Sequence, residues 1–293
     1  MRRMNQISIP SASHFFANHV SSYHDVATPS PIAPELTTLI AKSPSWSEDF
    51  SAPPSPQYWD RGFSAWPNTV NNRILWASGE VEVYIDKTNF GHDELSWRQG
   101  HVIFTAERMN SAERADIDTR ILREHINGKA ANALRRASWV SSLLKGRRAF
   151  LYGYFEARLR WDGSKSAWPA FWLLPQHAAW PPEIDILEIP GDATAHQTLH
   201  SMPGDPTPHL TVKTPIDDKF HSYGVLWGPK AIIFFIDRVA TARFATPPDM
   251  HQPMYPLLNL AVGGWARPPD TRTPAKMTMA VEYVRWWNLD DIR

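Results

Sequence analysis

Between Trp180-Pro181-Pro182 and Pro190-Gly191 lies Glu183-Ile184-Asp185-Ile186-Leu187-Glu188, with three carboxylates in six residues otherwise made of Ile and Leu. Isoleucine at this density favours an extended chain. In a strand, Glu183 and Asp185 share one face while Ile184 and Ile186 share the other. Glu188 has the wrong parity. A regular strand would send it into the core among the isoleucines, where an ionised carboxylate is very costly. A one-residue bulge at Ile186–Leu187 restores the phase and returns Glu188 to the acidic face. Four strand steps then separate the two Glu Cα atoms, roughly 13 Å. Long side chains leaning over the short Asp185 close this to about 5–5.5 Å, the carboxylate separation of double-displacement glycoside hydrolysis. An edge strand that carries acids only for solubility has no need of such a phased row.

Around this segment the chain is punctuated like an all-β protein. From Trp46 onward, short β-like runs fall at 74–76, 80–85, 102–106, 153–161, 171–174, 183–189, 222–227, 232–236, 256–262 and 277–287. Gly, Pro, Asn and Asp separate them, and strands do not alternate with helices, so the spacing predicts an antiparallel β-sandwich. The 26 Pro and 14 Gly suit many short strands and turns. One stretch departs from this. Residues 111–127 place Ala112, Ala115, Ile117, Ile121, Leu122 and Ile126 at helical spacing, with Gly128 as the expected C-cap. They read as a surface helix inserted between two early strands.

Residues 1–45 form an N-terminal extension or linker, and 46–293 the β-domain. Met1-Arg2-Arg3 looks like the start of a signal peptide. Asn5-Gln6 and the polar run 8–14 interrupt any apolar core, so no clear signal peptide is written here. The Pro, Ser and Thr of 27–34 read as a linker or a strap over the domain. Lys plus Arg and Asp plus Glu both number 30, which leaves no global field to draw in nucleic acid. There is no Cys, which excludes disulfides and thiol catalysis. No apolar run approaches the roughly 20 residues of a membrane span. Gly-x-Ser-x-Gly is absent, and the His pairs have no third metal ligand nearby, which disfavours serine and metal hydrolases.

Several motifs occur in order with the acidic strand: Gly153-Tyr154-Phe155-Glu156-Ala157-Arg158-Leu159, Trp168-Pro169-Ala170-Phe171-Trp172-Leu173-Leu174-Pro175, Leu199-His200-Ser201, Leu258-Asn259-Leu260-Ala261-Val262-Gly263-Gly264-Trp265 and Val281-Glu282-Tyr283-Val284-Arg285. Together they resemble glycoside hydrolase family 16 in its bulged Glu-x-Asp-x-x-Glu form. The resemblance implies a jelly roll with a concave substrate face and a monomer acting on polysaccharide outside the cytoplasm. It also implies a retaining endo-β-glycanase, with Glu183 as nucleophile, Asp185 as its hydrogen-bonding neighbour and Glu188 as acid/base. Only the resemblance orders the two Glu roles. The run 246–264 looks most like bacterial glycanases that cut succinoglycan-type exopolysaccharides at β-1,3-1,4 linkages. The alternatives are a laminarinase-like β-1,3-glucanase, a transglycosylase, and a non-catalytic carbohydrate-binding jelly roll.

For substrate binding, Trp168 and Trp172 share one face of a strand, and either could stack on sugar or pack in the core. His200 is expected near the acid/base. Asn259, an amide in an apolar run, needs a hydrogen-bonding partner, and substrate is the expected one. Trp265 follows a Gly-Gly pair one residue sooner than is usual in the family. Glu156 and Arg158 could pair with each other or reach the cleft. No cofactor is expected for catalysis. The resemblance suggests a structural Ca²⁺ on the convex face near Glu48 or Asp49 and Glu282, where Glu282 replaces the usual Asp; hard oxygen ligands suit that ion.

Overall fold

The computed structural model describes residues 34–63, 69–98, 100–177, 180–202 and 209–292. The signal-peptide reading and most of the 27–34 strap lie outside these residues. The fold is a β-sandwich of two sheets, one of seven strands and one of ten. In the seven-stranded sheet the order is His209–Pro215, Thr194–His200, Glu183–Glu188, Ala167–Pro175, Met254–Val262, Leu143–Gly146 and Trp59–Asp60. The acidic strand is therefore third from one edge, held by antiparallel ladders on both sides. The ten-stranded sheet packs behind it. Its strands Gly153–Trp161, His221–Trp227 and Lys276–Trp287 lie side by side with their neighbours. Within it, Glu82–Tyr84 pairs in parallel with Trp139–Ser141.

Between the sheets lies one apolar core. Phe155, Ala157 and Leu159 enter it from one side, Phe171, Leu173, Ile184, Ile186 and Leu187 from the other, all essentially inaccessible to water. Their partners on alternate positions point outward, as the period of two requires. Glu156 and Arg158 face outward on the ten-stranded sheet and so neither pair with each other nor reach the acidic strand. Glu156 accepts both guanidinium bonds of Arg238 at 2.8 Å, plus the hydroxyls of Tyr154 and Tyr283. Arg158 is paired with Glu282 at 2.6 Å.

Three sequence expectations need correction. Residues 74–76 form no strand: Ile74 and Leu75 follow the 3₁₀ helix Val70–Arg73 as irregular chain, with Ile74 buried in a satellite core, and Trp76 begins a turn. The helix expected over 111–127 is present but stops short, and a second helix follows it. Ser111–Arg123 starts with a reciprocal capping box between Asn110 and Glu113 and ends at Glu124, and Gly128 opens a second helix, Gly128–Arg136. Ile117 and Ile121 pack down on Leu134 and Val140, whereas Leu122 is 72% exposed. Part of the 1–45 segment also belongs to the domain. Helix Pro34–Ile40 buries Leu36 and Leu39 against Tyr154, Phe235 and Trp287. No helix among the described residues is long and apolar enough to cross a membrane.

Candidate active site

The register of the acidic strand contains the bulge. Against Ala167–Pro175, Asp185 faces Trp172 and Leu187 faces Phe171, so two steps on one strand match one on the other. Against Thr194–His200, Asp185 faces Thr198 and Glu188 faces His196. Ile186 is the extra residue. Ile186 and Leu187 both enter the core, adjacent though they are. Glu183, Asp185 and Glu188 consequently stand on the outer face of the seven-stranded sheet, which the strand's odd parity had pointed to.

Glu183 accepts a hydrogen bond from Trp180 Nε1 at 2.5 Å. Asp185 Oδ2 lies 2.9 Å from His200 Nε2. Ligating atoms of Glu183, Asp185 and His200 all fall within 4.8 Å of one another. Glu188 accepts from Trp168 Nε1 at 3.2 Å. His200 faces Glu183 across the ladder, so it belongs to the Glu183–Asp185 end and not to Glu188 as expected. The residue facing Glu188 is His196, which is buried under Trp265 at a ring distance of 4.6 Å.

Trp168 and Trp172 do share a face but have different surroundings. Trp168 stays partly open and meets the 43% exposed Trp265 edge-on at 5.9 Å. Gly264 makes this possible, since a Cβ there would lie 2.8 Å from the Trp168 ring and its φ is +61°. Trp172 is covered by the segment that carries Phe63, Leu75 and Tyr84. Its Nε1 donates to Asn259 Oδ1 at 2.7 Å, and Asn259 Nδ2 donates to the Tyr84 hydroxyl at 3.0 Å. Asn259 is therefore satisfied inside the protein. Its expected substrate contact gives way to a chain that continues from Tyr84 to Glu80. Beside Glu80, Glu82 accepts from the Val262 amide.

The site is rich in buried acid and poor in compensating cations. Burial pushes Glu188 well above the usual carboxylate range, and the charges of Asp185 and Glu183 push it further. Burial raises Glu183, reinforced by Asp185 and opposed by His200 and the Trp180 N–H. Burial carries Asp185 up to about 7, opposed by its hydrogen bond with Glu183. His200 is pushed down by burial. At neutral pH the cluster therefore retains protons, the condition under which one carboxyl acts as an acid while another stays ionised.

The expected Ca²⁺ residues do not fit an ion. Glu48 accepts from the Phe50 amide and from Trp59 Nε1, each at 3.2 Å. Asp49 accepts from the Ser51 amide. Glu282 already holds a guanidinium, which would repel a cation. Another group able to offer ligands within 4.8 Å of one another is His92, Glu94 and Glu113. There Glu113 is already engaged by His92 and by the Asn110 amide.

Sequence reasoning missed Trp180, Tyr84, Glu80 and His196 as members of this neighbourhood. Trp180 stood next to the motif. His196, two strand steps on from Thr194, shares the face of His200 once that stretch is recognised as a strand.

The sequence matches the family model described as Glycosyl hydrolases family 16 over residues 91–285. Endo-1,3-1,4-beta-glycanase EglC of Rhizobium meliloti (strain 1021) is 37% identical over 211 residues, covering 68% of this chain and 44% of that protein. Endo-1,3-1,4-beta-glycanase ExsH of the same strain is 34% identical over 241 residues, covering 79% and 48% respectively. The chain thus spans a little under half the length of each. Among solved structures, the laminarinase catalytic domain of Thermotoga maritima MSB8 matches with a TM-score of 0.65 at 21% identity, over 84% of this chain and 98% of that one; at that identity the likeness concerns the fold.

Proposed function

Because the chain belongs to glycosyl hydrolases family 16, we propose that it is a retaining endo-β-glycanase with Glu183 as nucleophile and Glu188 as acid/base. The observation that carries this reading is the bulge at Ile186, which puts both glutamates on one outward face with Asp185 between them.

Glu183 attacks the anomeric carbon while Glu188 gives its proton to the departing glycosidic oxygen. The Trp180 N–H stabilises the charge on Glu183, and Asp185 holds the shared proton of that pair. In the second step Glu188, now ionised, takes a proton from water. The water oxygen then displaces Glu183 from the anomeric carbon. Each step inverts, so the β-configuration is retained. The raised pKa of Glu188 suits its first role, because burial and then the cluster's own negative charge keep the proton there until the leaving oxygen needs it.

Trp168 and Trp265 form the partly exposed aromatic wall beside Glu188, suited to stack on sugar faces. The linkage we favour is mixed β-1,3-1,4 in a bacterial exopolysaccharide, supported by the names of the two Rhizobium relatives and by the run 246–264. Such a polymer lies outside the cytoplasm, and the enzyme acts there. Mass spectrometry of products from laminarin, mixed-linkage glucan, agarose, carrageenan and an acidic exopolysaccharide tests this. Oligosaccharides are expected from the exopolysaccharide and the mixed-linkage glucan, and cleavage of laminarin alone would make it a β-1,3-glucanase instead.

A further inference from the structure

A bulge leaves one residue of a strand without its ladder partner. In the acidic strand that residue is Ile186, which is fully buried, and an unsatisfied carbonyl there would be costly. The Gln197 side chain, itself 0% exposed, fills the gap: its Nε2 donates to Ile186 O at 3.0 Å. The same nitrogen donates across the sandwich to Phe235 O at 3.2 Å, and Gln197 Oε1 accepts from the Thr241 hydroxyl at 2.5 Å.

Those two further contacts lie at a second irregularity. Between Ala231–Ile236 and Val239–Ala245, Phe234 faces Ala242 but Phe235 faces Ala240, so Thr241 is the extra residue. One buried amide therefore uses both its donors and its acceptor to join two bulges, one in each sheet. Gln197 points to the core side of its strand, between His196 and Thr198 on the other face, and cannot touch substrate from there.

We propose that Gln197 is a positioning residue that sets the spacing between nucleophile and acid/base. Ile186 is the residue by which Glu188 is displaced back to the face of Glu183. Pinning its carbonyl fixes how far Glu188 stands from the bond to be broken. This inference rests on the reading of Glu188 as the acid, and its consequence is selective. A displaced Glu188 impairs protonation of a poor leaving group but matters little when the leaving group needs no proton.

The test compares kcat/KM of the full chain on its glycan and on a 2,4-dinitrophenyl β-glycoside of the released oligosaccharide. Gln197→Met is expected to lose about tenfold or more on the glycan, a fraction of what a general acid supplies, and less than about threefold on the aryl glycoside. Thr241→Val, which leaves the acidic strand untouched, should show the same selectivity with a smaller loss and keeps the test open should Gln197→Met fold poorly. Glu188→Gln, run alongside, should show the selectivity in extreme form. Equal losses on both substrates, or no loss, for Gln197→Met and Thr241→Val beside a selective Glu188→Gln would overturn the positioning role alone. A Glu188→Gln variant equally impaired on both would remove the acid reading, and with it this inference.

Discussion

Asp185→Asn should make the protein more stable at pH 8 and less stable, by about 1–2 kcal/mol, at pH 4. Asp185 is 1% exposed and burial carries its carboxyl from 3.8 up to about 7. A raised acid binds its proton more tightly in the folded chain than in the unfolded one. Its contribution is thus undiminished below the unfolded value near 4 and is lost as pH rises through about 7. Three units of displacement correspond to about 4 kcal/mol of penalty at pH 8. Asn removes that penalty but gives up hydrogen bonding around Glu183 and His200, worth about 1–2 kcal/mol. The net gain is about 2–3 kcal/mol at pH 8, or roughly 5–10 °C in Tm for a domain this size. Differential scanning calorimetry of both proteins from pH 4 to pH 9 measures it. A Tm difference independent of pH, or a variant less stable at pH 8, would refute the claim that the acidic strand carries strained, proton-hungry carboxylates. The same variant should turn over slowly, since Asp185 orients the nucleophile.

Three further outcomes follow from the geometry. Azide should resolve the intermediate of Glu188→Ala into a β-glycosyl azide and attack the substrate directly in Glu183→Ala to give the α-azide; NMR that finds the reverse pairing would exchange the two roles. Asn259→Leu strands the Trp172 N–H and takes from the Tyr84 hydroxyl its donor, leaving it only Glu80, so stability should fall by about 1–3 kcal/mol in urea titrations. KM should move less than about twofold, because this buried amide is a scaffold and not a sugar contact. Neither EDTA nor added Ca²⁺ should shift the Tm, because Glu48 and Glu282 are already engaged by protein donors; a Ca²⁺-dependent rise of several degrees would restore an ion there.

What could be read from the chain follows what is encoded locally. Parity within six residues demands a bulge before any fold is known, because Ile184 and Glu188 otherwise compete for the same face. The all-β class was legible from turn residues and short apolar runs. The fate of individual side chains was not. Trp172 and Trp168 have the same phase, yet only the covering segment with Phe63 and Tyr84 decides that one is sealed and the other open. Asn259 announces a need for partners but not who meets it, since Tyr84 lies 175 positions away in sequence. Nothing in the sequence singles out Gln197, and its use appears only when two sheets bring Ile186, Phe235 and Thr241 around it. Gly128 fitted a helix end as well as the helix start it provides, because a positive φ serves either side of a turn.

Proton NMR of freshly formed product tests the arrangement of Glu183, Asp185 and Glu188 most directly. With both glutamates on one face and Glu183 attacking the anomeric carbon itself, the new reducing end should appear first as the β-anomer and drift toward the α/β equilibrium over the following minutes. First-formed α-anomer from a β-linked glycan would mean a single displacement by water, and would contradict the roles assigned to the bulged strand.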